Sequence, residues 1–315
     1  MRFPFPALGL LRSLAAAALA TGLLASCGGG SQIDPFKPAR LLAFGDELSV
    51  LTPTGYKYST NSFTDADGLV CDAQPLWIQY LARHYDQMAF PQCNPDSVAN
   101  PTARTLAAFG AKADDFLAQT TSFQATDSFT DRDMVTVLVG MNDVLDAYAR
   151  YPAESESALR EELAAKGQRV AARINDLTGT GARVLVSTMP DLGLTPFAIA
   201  EKAAHTDTDR AKLLTRMVDS FNRAMRLDLL NDGSKIGLLL MDDLSRAAVR
   251  VPGNFGLTNT KVPVCAVALP NCTTKTLITD GSATTYLWAD NLHPAAQLQL
   301  QLGLQAVSRV ENNPF

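Results

Sequence analysis

Short apolar runs and longer helical stripes take turns along this chain. The runs at 40–44, 134–139 (MVTVLV), 183–188 (RVLVST) and 236–241 (IGLLLM) have the length and composition of buried strands. Between them, helical patterns cover 76–87, 103–118, 155–178, 209–229 and 294–310. In the last, Pro294 suits a first helical turn and leucines recur down one face. Strands alternating with helices imply parallel pairing and a three-layer α/β/α sandwich with a mainly parallel sheet. Such sheets carry their functional loops at the carboxyl ends of the strands. Gly45-Asp46-Glu47 falls there after the first strand, and Gly140-Met141-Asn142-Asp143 after the second. The loops 51–70 and 250–285 are long and rich in Thr, Gly, Pro and Asn, as binding walls often are.

No internal repeat or second linker interrupts the pattern after Arg40. With 47% hydrophobic and 19% charged residues, the chain can bury one large core. Its net charge is −5 and no Lys/Arg block occurs, which argues against nucleic acid as a partner. The first 26 residues stand apart: Arg2 and Arg12, then an apolar run from Leu14 to Ala25, then small residues. This is a secretory signal, too short for a membrane span. Leu24-Ala25-Ser26-Cys27 resembles a bacterial lipobox, in which Cys27 is lipidated and becomes the first residue. The Gly-Gly-Gly-Ser that follows is a flexible leash, giving a linker over 27–37 and one domain over 38–315. By the same resemblance, Gly28 after the cysteine points to the outer membrane. The expected location is the bacterial cell envelope, with an N-terminal lipid anchor holding a monomer to the membrane.

Four cysteines remain: Cys71, Cys93, Cys265 and Cys272. Export permits disulfides, and four cysteines allow three connectivities. Pairing of neighbours, Cys71–Cys93 and Cys265–Cys272, closes two local loops and is the expectation adopted. With no CxxC and only His84, His205 and His293, neither a metal site nor a cofactor is expected.

Three segments bring chemistry. FGDELS (44–49) resembles the first block of the SGNH/GDSL hydrolases, GMND (140–143) their Gly-x-Asn-Asp block, and WADNLHP (288–294) their Asp-x-x-His block. STMPDLGLTP (187–196) is similar to a connecting segment of the family, and FNRAMRLDL and NFGLTN to its larger secreted esterases. The resemblance runs from about residue 38 to the C-terminus. It implies the SGNH, flavodoxin-like form of the sandwich, and carboxylic ester bonds in a small molecule or lipid as the substrate. Acyl transfer needs a nucleophile, a base and donors for the developing oxyanion. On the family pattern His293 is the base, Asp290 its orienter, and Asn142 and Gly110 are oxyanion donors, Gly110 lying where a turn precedes a helix. Asp46 and Asp143 are read as structural, His84 and His205 as solvated, and Trp77 and Trp288 as packing residues.

The family's nucleophile is a serine, and Glu47 stands in its place. A carboxylate attacking an ester gives only a mixed anhydride, and its charge opposes the oxyanion. Ser49, two positions on, points to a different side if the turn is helical. Three readings follow: a pocket that binds without hydrolysing, with Glu47 and His293 as an ion pair; a hydrolase in which these two residues activate water; or an envelope structural lipoprotein.

Overall fold

The computed structural model describes residues 36–312 apart from Gln87. The signal segment, Cys27 and nearly all of the linker lie outside the described residues. Phe36, at the end of the expected linker, lies beneath the guanidinium of Arg183, 4.0 Å from the ring centroid.

The four apolar runs form strands: β1 (Arg40–Gly45), β5 (Asp133–Leu138), β6 (Arg183–Ser187) and β7 (Ile236–Leu239). Two two-stranded ribbons lie outside the main sheet, β2 (Ser62–Thr64) with β3 (Gly68–Val70), and β8 (Asn259–Pro263) with β9 (Tyr286–Trp288). The fifth strand of the main sheet is β4 (Ala103–Thr105), and the order β4-β1-β5-β6-β7 is parallel throughout. Because β1 lies between β4 and β5, the crossovers leave it on opposite sides. The crevice at its carboxyl end is the usual ligand position in a doubly wound sheet.

Side chains alternate across β1 because a strand repeats every two residues. Leu42 and Phe44 join a core built with α2 (Ala113–Gln124), α4 (Glu156–Gly179) and α6 (Arg210–Asp228). Leu41 and Ala43 face the opposite layer, formed by α1 (Trp77–His84), α7 (Met241–Arg250) and α8 (Ala296–Asn312). The chain is therefore the three-layer α/β/α sandwich expected. Burying each of these leucines fully is worth about 2 kcal/mol, so a charge at position 42 would break the layer it faces.

One segment departs from the expectation. Residues 103–118 do not form one helix. They divide into β4, a turn and the start of α2, which runs to Gln124. Gly110 sits at φ +74°, a left-handed conformation that ends a helical run. Ala103, Arg104 and Thr105 pair with Leu41, Leu42 and Ala43, and this recruitment by the edge of β1 outweighs the helical spacing. Shorter helices that the periodicity did not reveal are α3 (Met141–Ala149) and α5 (Pro196–Ala204), together with α7. The last helix begins at Ala296 rather than Pro294.

Both neighbour disulfides are present, Cys71–Cys93 and Cys265–Cys272, each with Cα atoms 5.7 Å apart. Asn61 ties the two long loops together, donating to the carbonyls of Pro270 and Cys272, both at 2.9 Å. Among the described residues, no helix is long and apolar enough to cross a membrane.

Candidate active site

The turn after β1 begins at Gly45, φ +118°, where a Cβ would lie 1.9 Å from the carbonyl oxygen of Leu138. Only glycine lets β1 approach β5 that closely at its end. Asp46 then caps a single 3₁₀ turn, Glu47–Ser49, by accepting from the Leu48 amide at 3.1 Å. Asp46 is thus structural. Burial, and next the charge of Glu47, push its pKa far up.

This turn aims Glu47 into the crevice and Ser49 away from it. Ser49 is fully buried, and its Oγ accepts from the Trp77 indole at 3.1 Å. Glu47 is only 2% exposed, yet both its oxygens have partners. Oε2 accepts from the Gly110 amide and from Asn142 Nδ2, both at 2.9 Å. Oε1 lies 3.2 Å from His293 Nε2. Asn142 stands in the first turn of α3, where Asp143 is turned the other way. Asp143 accepts from the Ala113 amide at 2.8 Å and pairs with Lys166, so it anchors α2 to α3 and α4.

His293 reaches the crevice from the loop before α8. Its Nδ1 is 2.9 and 2.8 Å from the two oxygens of Asp290, which also accepts from the Leu292 and His293 amides. Asp290 is therefore both a turn cap and the orienter of the imidazole. Ser59 fixes the next residue by donating to the Pro294 carbonyl at 2.8 Å.

Burial alone would neutralise this group of ions, but each is held charged by the others. Burial lowers the His293 pKa, yet its bonds to Asp290 and Glu47 win and push it up to about 9. Glu47 and Asp290 are each raised by burial and then carried below their ordinary values, chiefly by the bond to His293. At neutral pH an imidazolium sits between two carboxylates.

The residues expected at the site, Glu47, Gly110, Asn142, Asp290 and His293, all converge. Sequence reasoning missed Tyr58 and Phe109. Their rings stack at 4.7 Å beside the site, and Tyr58 is 6.4 Å from the His293 ring. Tyr58 lies in the long 51–70 loop, and that length was the one signal available. His84 and His205 lie apart, beside Glu311 and Glu201. Both tryptophans are fully buried, with their indoles bonded to Ser49 and to the Thr260 carbonyl. Among the described residues, no group of three or more His, Cys, Asp and Glu could hold a metal ion.

A parallel sandwich with an Asp–His pair facing two oxyanion-type donors at the switch point is the arrangement of an acyl-transfer hydrolase. The GDSL-like lipase/acylhydrolase pattern matches residues 42–303, and the chain belongs to that family. It is similar to the phosphatidylcholine-sterol acyltransferase of Aeromonas hydrophila, with 24% identity over 241 residues. That match covers 71% of this chain, and the chain spans only 64% of that relative's length. Among solved structures, a lipolytic G-D-S-L family member from Veillonella parvula overlays with a TM-score of 0.44 at 10% identity, over 85% of this chain and 96% of the other. A lipase from a goat rumen metagenome overlays with a TM-score of 0.44 at 14% identity, over 86% and 96%.

Proposed function

We propose that this chain is an envelope lipoprotein of the GDSL family whose ester-cleaving site is closed by its own Glu47, and that it binds its ligand without hydrolysing it. The observation that carries this is the placement of the Glu47 carboxylate. From Cα outward, glutamate matches an acylated serine atom for atom: Cγ takes the place of Oγ, and Cδ that of the acyl carbon. Oε2 then lies where the acyl oxygen would meet Gly110 and Asn142, and Oε1, in the place of the acyl chain's first carbon, is held by His293. The side chain thus mimics an acyl-enzyme that cannot be hydrolysed, because its linking atom is carbon.

A substrate carbonyl would find both the Gly110 amide and Asn142 Nδ2 already taken by Glu47. One forced close to Glu47 would also develop its charge about 4 Å from a carboxylate, a cost of roughly 4 kcal/mol at an effective dielectric near 20. Water activation by Glu47 and His293 is disfavoured by the same geometry. An imidazolium with a pKa of about 9 has no lone pair to offer at neutral pH, and both Glu47 oxygens are engaged.

The test is aryl-acetate and aryl-butyrate hydrolysis by wild type, Glu47→Ser, and Glu47→Ser combined with His293→Ala. Serine should raise turnover at least about 100-fold, since base, orienter and donors are in place, and His293→Ala should abolish the gain. Brisk wild-type turnover, or a folded but inert Glu47→Ser, would defeat the reading. The anchor is proposed at Cys27, from the Leu-Ala-Ser-Cys sequence and its glycine leash, with the domain at the outer membrane. A fatty-acid label should mark the wild type and spare Cys27→Ala, and equal labelling of both would remove the anchor.

A further inference from the structure

A groove of about 720 Å³ opens on the far side of the loop that carries Gly110, between β4, that loop and α2. Its size is that of a small-molecule site. Leu106, Ala108, Ala118 and Phe123 line it, and Phe109, 63% exposed, forms one wall. Phe109 stacks on Tyr58 at 4.7 Å and still leaves most of its surface open beside this apolar floor.

At one end stands Arg104, whose side chain is 50% exposed and whose guanidinium lies 5.6 Å from the centroid of the Phe123 ring. Its nearest carboxylate, Asp127, is 3.5 Å away and bonded more closely, at 2.8 Å, to Arg40. Arg104 is therefore the more weakly paired of the two cations, and its half-exposed guanidinium can meet an anion. Asp115 closes the other end and would repel one, so an anionic head has a preferred direction. Two of the other polar lining side chains are committed: Thr105 Oγ1 to the Ser49 carbonyl, and Gln119 to both backbone atoms of Gly45.

We propose that this groove binds the carboxylate of a medium-length acyl chain, with the chain over Leu106 and Phe123 and the head on Arg104. The groove offers such a monoanion an apolar floor and, in Arg104, the one cation of its lining. Two of its residues, Gly110 and Gln119, also hold Glu47 and the turn before it, so the groove and the closed site share a wall. The proposal stands whether or not Glu47 prevents turnover.

A second groove of about 660 Å³, lined by Leu244, Ala247, Phe255 and Arg309 among others, supplies the control. The full chain is titrated with a dansyl-labelled undecanoate, which is then displaced by dodecanoate or by dodecanol. Ala118→Trp fills the proposed groove from an exposed helical position and should weaken dodecanoate at least about 10-fold. Arg104→Gln should weaken dodecanoate by roughly five-fold, the worth of an exposed charge pair, and leave dodecanol unchanged. Ala247→Trp should have no effect. Binding that survives Ala118→Trp, that is lost in Ala247→Trp, or that is equal for acid and alcohol would overturn the proposal, as would no saturable binding to the wild type.

Discussion

Two groups of buried ions lie near the carboxyl ends of the strands, and they are built on opposite principles. Around His293, a histidine faces Glu47 and Asp290. Around Arg246 of α7, a guanidinium faces Asp191 at 2.8 Å and Asp219 at 2.6 Å, with Asp242 at 3.7 Å. Asp191 and Asp242 are as inaccessible as Glu47. Asp191 also caps the turn Leu192–Leu194 and accepts from Thr215, and Asp242 accepts from Thr188, so this cluster bolts α6 and α7 to the loop after β6. Burial lowers the Arg246 pKa, but its bonds to Asp191 and Asp219 outweigh that and carry it upward, and no accessible pH removes its charge. The His293 group has a cation that can lose its proton. It also has backbone and amide donors aimed at one oxygen, as a site for a developing charge requires. Burial and ion pairing are common to both clusters. A titratable cation with converging donors distinguishes the site.

The largest effect expected from breaking this comparison is in the structural cluster. Arg246→Ala leaves Asp191 and Asp242 buried without their main cation, and should cost about 3–4 kcal/mol in urea unfolding. A loss below about 1 kcal/mol would mean that the carboxylates are already satisfied by their hydroxyl and amide donors. The next effect is in pH dependence. The His293 pKa is raised from the ordinary 6.5 to about 9, so its contribution is fully present below about 6.5 and lost as pH rises through about 9. Unfolding free energy should fall by about 3 kcal/mol over that window, and the slope should be absent in His293→Ala. Glu47 and Asp290 have lowered pKa values, so their contributions are present above the ordinary carboxylate range and fade as pH falls through the shifted values. The smallest effect sharpens the contrast. Glu47→Gln keeps an oxygen for Gly110 and Asn142 and should change stability by less than about 1 kcal/mol. It should nevertheless lower the His293 pKa, read from the imidazole proton resonances. An unchanged pKa would show that Asp290 alone sets the charge.

Much of this architecture was legible from periodicity. The four long strands of the main sheet stood out because each is an apolar run buried on both faces, and α4 and α6 because their stripes persist over many turns. The edge strand β4 did not, since three residues pair only because β1 offers its free edge. Helices α3, α5 and α7 are too short to outweigh the motif and loop residues around them. Within the site, FGDELS, GMND and WADNLHP identified the residues that converge, because a tight turn, a first helical turn and an Asp-x-x-His cap are each local structures.

What the amino-acid order determined alone is therefore the set of elements and the identity of the groups at the strand ends: a carboxylate where a hydroxyl is expected, a histidine with its aspartate three residues before, and an asparagine after a glycine. It also determined that Glu47 and Ser49 fall on different sides of one turn. Only the tertiary structure decided where those groups point. Ser49 is held by Trp77, 28 residues away, and Glu47 by Gly110, Asn142 and His293, which are 63, 95 and 246 residues away. A buried carboxylate goes wherever donors satisfy both its oxygens. Those donors exist as a set only after β4, β5 and the loop before α8 have been brought to the end of β1.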